Sequence, residues 1–282
     1  MQNKEKRFYS IGDFVICYHG PGFQEKEYLS NFRVEEKNAD ITYDIYMSKH
    51  LECPRPHCAC EGKYEKVFKI GEEQVRVVFE QNQKKLIFKE STCDGIAYRV
   101  ELHEKWWNRM HSRLALMLFS IPERMLEHGG FFLHASVVLW KGKALLFTGP
   151  KQVGKSTQAE LWENCAGAEV INGDRALLRK KDGVWWVYGS PYCGTSKICH
   201  NQGAPLGAVV LLSKSLENSV KEAVGMESVI AFLEGASFKT TDKKQVELVS
   251  LLISEVIRET SIYKMECTPT EDAVRMLEEW LW

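Results

Sequence analysis

Nine consecutive residues limit this chain more tightly than any other part of it: Gly149-Pro150-Lys151-Gln152-Val153-Gly154-Lys155-Ser156-Thr157. They satisfy the pattern G-x-x-x-x-G-K-[ST] in full. The apolar run Ala144-Leu145-Leu146-Phe147 leads into them, and a helical pattern carrying Ala159, Leu161 and Trp162 follows. Strand, glycine loop and helix in that order form a phosphate cradle. Glycines let backbone N–H groups turn inward around phosphate oxygens, and the helix beginning near Lys155 directs its positive end at the same anion. In such a cradle Lys155 reaches the β and γ phosphates and the Ser156 hydroxyl holds Mg²⁺. Gly149, Lys151, Gln152, Val153, Gly154 and Thr157 complete the nucleotide-binding set, so ATP and Mg²⁺ are the expected cofactors.

The chain has 282 residues, 44% of them apolar and 27% charged, which excludes wholesale disorder and fibrous architectures and leaves room for two domains. From Phe8 to Val100 the pattern is that of short half-buried strands, at Phe14–Tyr18, Ile41–Met47, Lys66–Ile70, Val75–Glu80 and Leu86–Lys89, with no helical period between them. A long apolar face then predicts helix from Glu104 to His128, kinked or split at Pro122 and ended by Gly129-Gly130. A strand pair (131–140 and 144–148) precedes the loop. After its helix come a strand at 169–171, a hairpin of 176–179 with 184–188 around Asp182-Gly183, and a buried strand at 207–212. Helices are expected at 226–233, 242–259 and 269–281, the last with Thr268 as N-cap, Pro269 at its first position and Glu271 as capping-box acid. The expected fold class is α/β, α+β overall: a small β-rich domain over 1–102 and a nucleotide-binding domain over 103–282.

The stretch from His134 to Lys214 resembles the C-terminal domain of HPr kinase/phosphorylase and its relatives, which include kinases of ribosomal-peptide biosynthesis clusters. The pieces are Leu133-His134-Ala135-Ser136-Val137-Val138, the glycine loop, and Val170-Ile171-Asn172-Gly173-Asp174-Arg175. In that family a histidine on the strand pair before the loop stands near the phosphates, and His134 has a similar spacing from Lys155. The family also carries an acidic pair whose second member takes the proton from the substrate hydroxyl. Here the pair reads Gly173-Asp174, so only the second acid is kept. The resemblance therefore implies a phosphotransferase with Asp174, His134 and Lys155 as catalytic residues and Ser156 and Asp174 at the metal. It further implies an ATP-dependent kinase acting on a hydroxyl, foremost serine of a protein or peptide, with homo-oligomeric assembly. A kinase for free serine or a polyol and a non-catalytic ATP-binding regulator are the alternatives. The family's downstream metal-binding glutamate has no counterpart in Gly189–Ser196, and Lys239 is the nearest match to its late basic loop.

A net charge of -1 gives no global field toward nucleic acid or an anionic membrane. Residues Met1–Arg7 are polar, and no run reaches the roughly 20 apolar residues of a membrane span, so a cytoplasmic location without nucleic-acid or membrane partners is expected. The nine cysteines are read as reduced. Cys53, His57, Cys58 and Cys60 include zinc-type ligands, but their spacing matches no standard C-x-x-C pair, and an irregular loop is the better reading. Trp106-Trp107 and Trp185-Trp186 are expected to pack, and Arg179-Lys180-Lys181 to form a solvated hairpin tip.

Overall fold

The computed structural model describes residues 4–21, 27–55, 58–80, 85–107, 109 and 112–282. The chain divides into two compact units, Met1–Phe119 and Ser120–Trp282, so the division falls later in the chain than the 102/103 boundary drawn from the sequence. Both units carry large mixed sheets, and the class is mixed α/β. Among the described residues no helix is long and apolar enough to cross a membrane.

The first unit consists of β1 (Lys4–Ile11), β2 (Phe14–Pro21), a 3-10 turn (Glu27–Phe32), β3 (Arg33–Val34), β4 (Ile41–Ser48), β5 (Cys60–Glu61), β6 (Glu65–Ile70), β7 (Glu73–Phe79), β8 (Leu86–Thr92), β9 (Ala97–His103), α1 (Glu104–Trp107) and α2 (Ser112–Leu118). Its nine strands run in the order β3-β1-β2-β4-β9-β8-β7-β6-β5. Alternation of side chains along each strand divides the sheet into two chemically different faces. On one face the register aligns Tyr18, Tyr43 and Tyr98 across β2, β4 and β9. Their rings stack at 5.4 and 5.2 Å, and Phe119 closes on Tyr18 and Tyr43 at 4.8 and 4.6 Å. The Tyr43 hydroxyl donates to the Phe119 carbonyl at 2.8 Å, so the one polar atom of that ring is satisfied. Arg76 is buried in the same unit; it pairs with Glu90 at 2.7 Å and Glu65 at 3.2 Å and also donates to the Leu118 carbonyl. The opposite face carries the row His19, Asp44, Arg99, Ser91 and Val75, one residue from each of five neighbouring strands.

The second unit consists of α3 (Ile121–Glu127), β10 (Gly130–Trp140), β11 (Lys143–Thr148), α4 (Lys155–Ala166), β12 (Glu169–Asn172), β13 (Arg175–Lys181), β14 (Val184–Tyr188), β15 (Gly203–Lys214), β16 (Ser219–Glu222), α5 (Met226–Gly235), α6 (Lys243–Glu259), β17 (Ser261–Cys267) and α7 (Glu271–Glu278). Two turns, Lys141-Gly142 and Asp182-Gly183, have φ of 47° and 78° and of 50° and 78°. Such double left-handed turns match the twist of hairpin strands. β11 lies parallel to β15, which lies parallel to β17. Period-two alternation sends Leu145, Phe147, Ala208, Val210 and Leu212 to one side, against Ala159 and Trp162 of α4 and Val274 and Leu277 of α7. Leu146, Val209 and Leu211 go to the other side, against Phe232 of α5 and Val249, Ile253 and Val256 of α6. The sheet thus sits between two helical layers, each burying the apolar stripe of its helices.

Several elements depart from the sequence reading. The helix expected over 104–128 is interrupted at Ser120, whose φ of 50° breaks it just before α3, which begins at Ile121 with Pro122 in its first turn. The last helix starts at Glu271 with Thr270 as N-cap, not Thr268, because Pro269 lies outside the helix and Thr268 is held instead by Asn218 at 2.8 and 3.0 Å. β1, β9, β16 and β17 were not anticipated. Trp185 is buried, Trp186 stacks on Tyr188 at 5.9 Å, and Lys180 pairs with Glu255 and Glu259, so the hairpin tip is tied to α6 and is not merely solvated.

Trp162 is fully buried edge-on against Trp140 at 5.1 Å and fixes α4 to the sheet. Trp162→Ala should cost about 3–5 kcal/mol of stability in urea unfolding, as large-to-small changes of buried aromatics do.

Candidate functional site

Asp174 is placed by a change of partner along β10. Its first half pairs with β13, the last pair being His134↔Arg175, and its second half pairs with β12, beginning at Val137↔Asn172. Gly173-Asp174 is the crossing between those two partners, opposite Ala135-Ser136. There the Asp174 carbonyl accepts from the Ala135 N–H at 2.9 Å and from His134 Nδ1 at 2.8 Å, and the Asp174 N–H donates to Asn172 Oδ1 at 3.1 Å. The carboxylate is fixed as well, since His134 Nδ1 lies 3.0 Å from Asp174 Oδ1. Both of these oxygens are acceptors, so Nδ1 carries the hydrogen. Histidine and acid, separated by 40 residues, therefore form one unit.

The segment 189–196 borders this pair. Fully buried Asn172 donates from Nδ2 to the carbonyls of Ser190 at 2.9 Å and Tyr192 at 3.4 Å, which ties the segment to the end of β12. Gly194 lies against the acid: a Cβ there would come within 2.8 Å of Asp174 Cβ and 3.0 Å of Cγ, and its φ is +58°. Only glycine meets both conditions without strain. Gly173 is enclosed in the same way. A Cβ at 173 would fall 1.9 Å from Ser196 Oγ, and that hydroxyl is held by the Cys193 carbonyl at 2.8 Å. A first acid thus has no space at 173, because Ser196 fills the position into which its side chain would extend. From the sequence, Asn172 is only part of the resembling stretch, and Gly194 and Ser196 only part of a turn-rich segment that could border the site; the structure gives each of them its contact.

The glycine loop leaves the end of β11 and enters α4. Gly149, Gln152 and Gly154 take φ of 143°, 64° and 115°. A Cβ at 149 would meet the Leu212 carbonyl at 2.8 Å, so the loop passes too close to β15 for any side chain there. No side chain caps the N-terminus of α4. Its first amides consequently keep their donors for an external acceptor, and the helix's positive end faces the same direction. Lys155 is buried, and its Nζ donates to the carbonyls of Gly149 and Pro150, both at 3.0 Å. Burial pulls its ammonium below the ordinary lysine range, while the Asp174 charge works in the opposite sense. Lysine, acid and histidine therefore belong to one electrostatic site. Ser156 and Thr157 are exposed at the start of α4, Lys151 and Gln152 are exposed on the loop, and Val153 is half-buried, its N–H donating to the Pro150 carbonyl at 3.3 Å.

The remaining residues singled out in the sequence lie elsewhere. Lys239, between α5 and α6, is 3.6 Å from Glu123, and its N–H donates to Gln245 Oε1 at 2.8 Å. Cys53, Cys58 and Cys60 are free thiols, and His57 lies outside the described residues. Among the described residues no group of three histidine, cysteine or acidic side chains could hold a metal ion. Metal binding beside the glycine loop would thus rest on Ser156, Asp174 and ligand oxygens together.

The chain matches no family model and no curated protein. Among solved structures it is similar to the Hpr(Ser) kinase/phosphatase from Coxiella burnetii, at 10% identity and a TM-score of 0.31, over 53% of this chain and 95% of that one. At that distance the reading of the site rests on its own geometry.

Because folding lowers the Lys155 pKa, it penalises the charged form. The penalty is fully present at neutral pH and is relieved as pH rises through the folded value toward the ordinary lysine value. Lys155→Met should leave the melting temperature at pH 7 unchanged or higher, with the gap to wild type closing at alkaline pH. Scanning calorimetry between pH 7 and 10 reads this directly, and a clear drop at pH 7 would contradict it.

Proposed function

We propose that this chain is an ATP-dependent phosphotransferase acting on a hydroxyl, with serine of a protein or peptide as the acceptor. One observation carries the reading: a lysine held by a glycine loop lies within electrostatic reach of a carboxylate oriented by a histidine. Phosphoryl transfer needs little else from a protein, because positioning and charge neutralisation supply most of its catalysis.

The residues present suit the cofactors. The uncapped amides of α4, the loop backbone over 149–154 and Lys155 would hold the phosphates, and Ser156 with Asp174 would hold Mg²⁺. ATP supplies the phosphoryl group when bound, and Mg²⁺ neutralises charge on it. The Lys155 ammonium, now resting on two loop carbonyls, exchanges those neutral acceptors for anionic ones. Asp174 accepts the proton of the acceptor hydroxyl. His134 holds Oδ1, which leaves proton acceptance to Oδ2, on the side next to Gly194. Both acidic roles fall on one carboxylate, since Ser196 closes the space beside Gly173.

The direct test incubates the purified protein with γ-labelled ATP and Mg²⁺ together with host proteome, a serine-peptide library, free serine and polyols. Label should appear on a protein or peptide serine. Asp174→Asn should bind ATP and transfer about 10²- to 10⁴-fold more slowly, and Lys155→Ala should lose binding. Label on free serine or a polyol would replace the acceptor class, and ATP binding without transfer would establish a regulator instead. Gly194→Ala should lower kcat about tenfold or more with the KM for ATP unchanged, since its Cβ displaces the base and not the loop.

A further inference from the structure

The charged face of the first unit contains a cleft of about 460 Å³ that the phosphotransferase chemistry does not use. That volume lies within the range of small-ligand sites. Val75 and Ile70 are apolar residues of its lining, and the rest of the lining carries charges of both signs. Lys89 and Glu101 neutralise each other at 3.4 Å. The other charges do not. Among the described residues no acid pairs with Arg55 or Arg99 and no base with Glu52 or Glu73, although all four line the same cleft. The Arg99 guanidinium is nonetheless positioned, lying 4.6 Å over the Tyr46 ring, an arrangement that holds its plane while leaving its N–H edge for a ligand.

Register fixes the spacing of these charges. Arg99 on β9 pairs with Ser91 on β8, which pairs with Val75 on β7, and Glu73 is two residues from Val75 on the same face. Acid and guanidinium therefore stand two strand spacings apart across the sheet and two residues apart along it, roughly 12 Å. An extended peptide covers that distance in about four residues, and residues four apart present their side chains on the same face. A ligand with anionic groups alone, such as a phosphate ester, a nucleic acid or an anionic headgroup, would face Glu52 and Glu73 as well as the arginines. A ligand of both signs would neutralise both ends.

We infer that the cleft between β7, β9 and the 51–55 segment binds an extended peptide segment bearing a basic and an acidic side chain about four residues apart, on one face, with Arg99 and Glu73 reading the two charges. The inference rests on the proposed phosphotransferase only for its purpose, the capture of an acceptor-bearing segment; the binding itself involves no nucleotide.

The test uses the full chain without ATP and fluorescein-labelled octapeptides with Lys and Glu four apart in both orders, alongside Lys/Lys, Glu/Glu and Gln/Gln versions, read by fluorescence polarisation. One mixed-sign order should bind saturably, at least about tenfold tighter than the single-sign and neutral peptides, and weaken with added salt. Arg99→Glu and Glu73→Lys should each cost about tenfold or more at unchanged melting temperature; should one variant fail to fold, the other reads the same site. No saturable binding in either order would overturn the inference, as would equal binding of a single-sign peptide or unchanged affinity in the folded variants. A protein that binds the peptide and transfers no phosphate would retain this site while losing the proposed activity, and the converse result would do the reverse.

Discussion

The point on which the second unit turns is the exchange of partners along β10. A strand can pair with only one neighbour on each edge at a given residue, so the change from β13 to β12 leaves a gap opposite Ala135 and Ser136. The backbone of Gly173-Asp174 crosses that gap, and its carbonyl finds its donors on β10 itself. The hydrogen bonds that satisfy a buried crossover therefore also orient the side chain that the chemistry needs. β11 ends on the other edge of β10, and the loop it feeds carries Lys155 into the field of Asp174. Fold and site are one set of backbone bonds.

The glycines around the site divide by cause. Gly149 is required by the close approach of β15, and Gly194 by the carboxylate it lies against together with its left-handed φ. Gly173 has an ordinary φ, and what excludes a side chain there is Ser196. The absence of a side chain at 173 goes with the packing of the 189–198 segment, which Asn172 secures with two hydrogen bonds from a fully buried amide. A side chain at 173 would require that segment to move.

The first unit shows a different economy of side chains. A single nine-stranded sheet puts Tyr18, Tyr43 and Tyr98 on one face, where they pack on each other and on Phe119, and the row His19, Asp44 and Arg99 on the other. Stacked aromatic pairs contribute about 0.5–1.5 kcal/mol beyond their burial, so the tyrosine row stabilises the sheet from one side only. The second face carries buried apolar residues such as Phe68 and Val75 beside its charges, and a charge without a partner on such a face is stable only because water still reaches it. A bound ligand could take the place of that water.

Local pattern carried much of this protein. Period-two alternation placed β2, β4, β6, β7, β8, β10 and β11 close to their observed positions, and the glycine loop with its flanking strand and helix is legible because every part of it lies within about 25 consecutive residues. Where the pattern is short or mixed it failed: β1 opens on charged residues, β9 runs straight into α1, and β16 and β17 make an edge ladder whose alternation is too brief to read. His134 and Asp174 could be named from the sequence, but their contact could not, nor could the seal of Ser196 over Gly173 or the row that sets Arg99 beside Ser91 and Val75. Sequence period reports which way a side chain faces within its own strand or helix. Which strands become neighbours, and so which distant side chains meet, is decided by sheet pairing over tens of residues, where the backbone bonds are the same whatever the residue type.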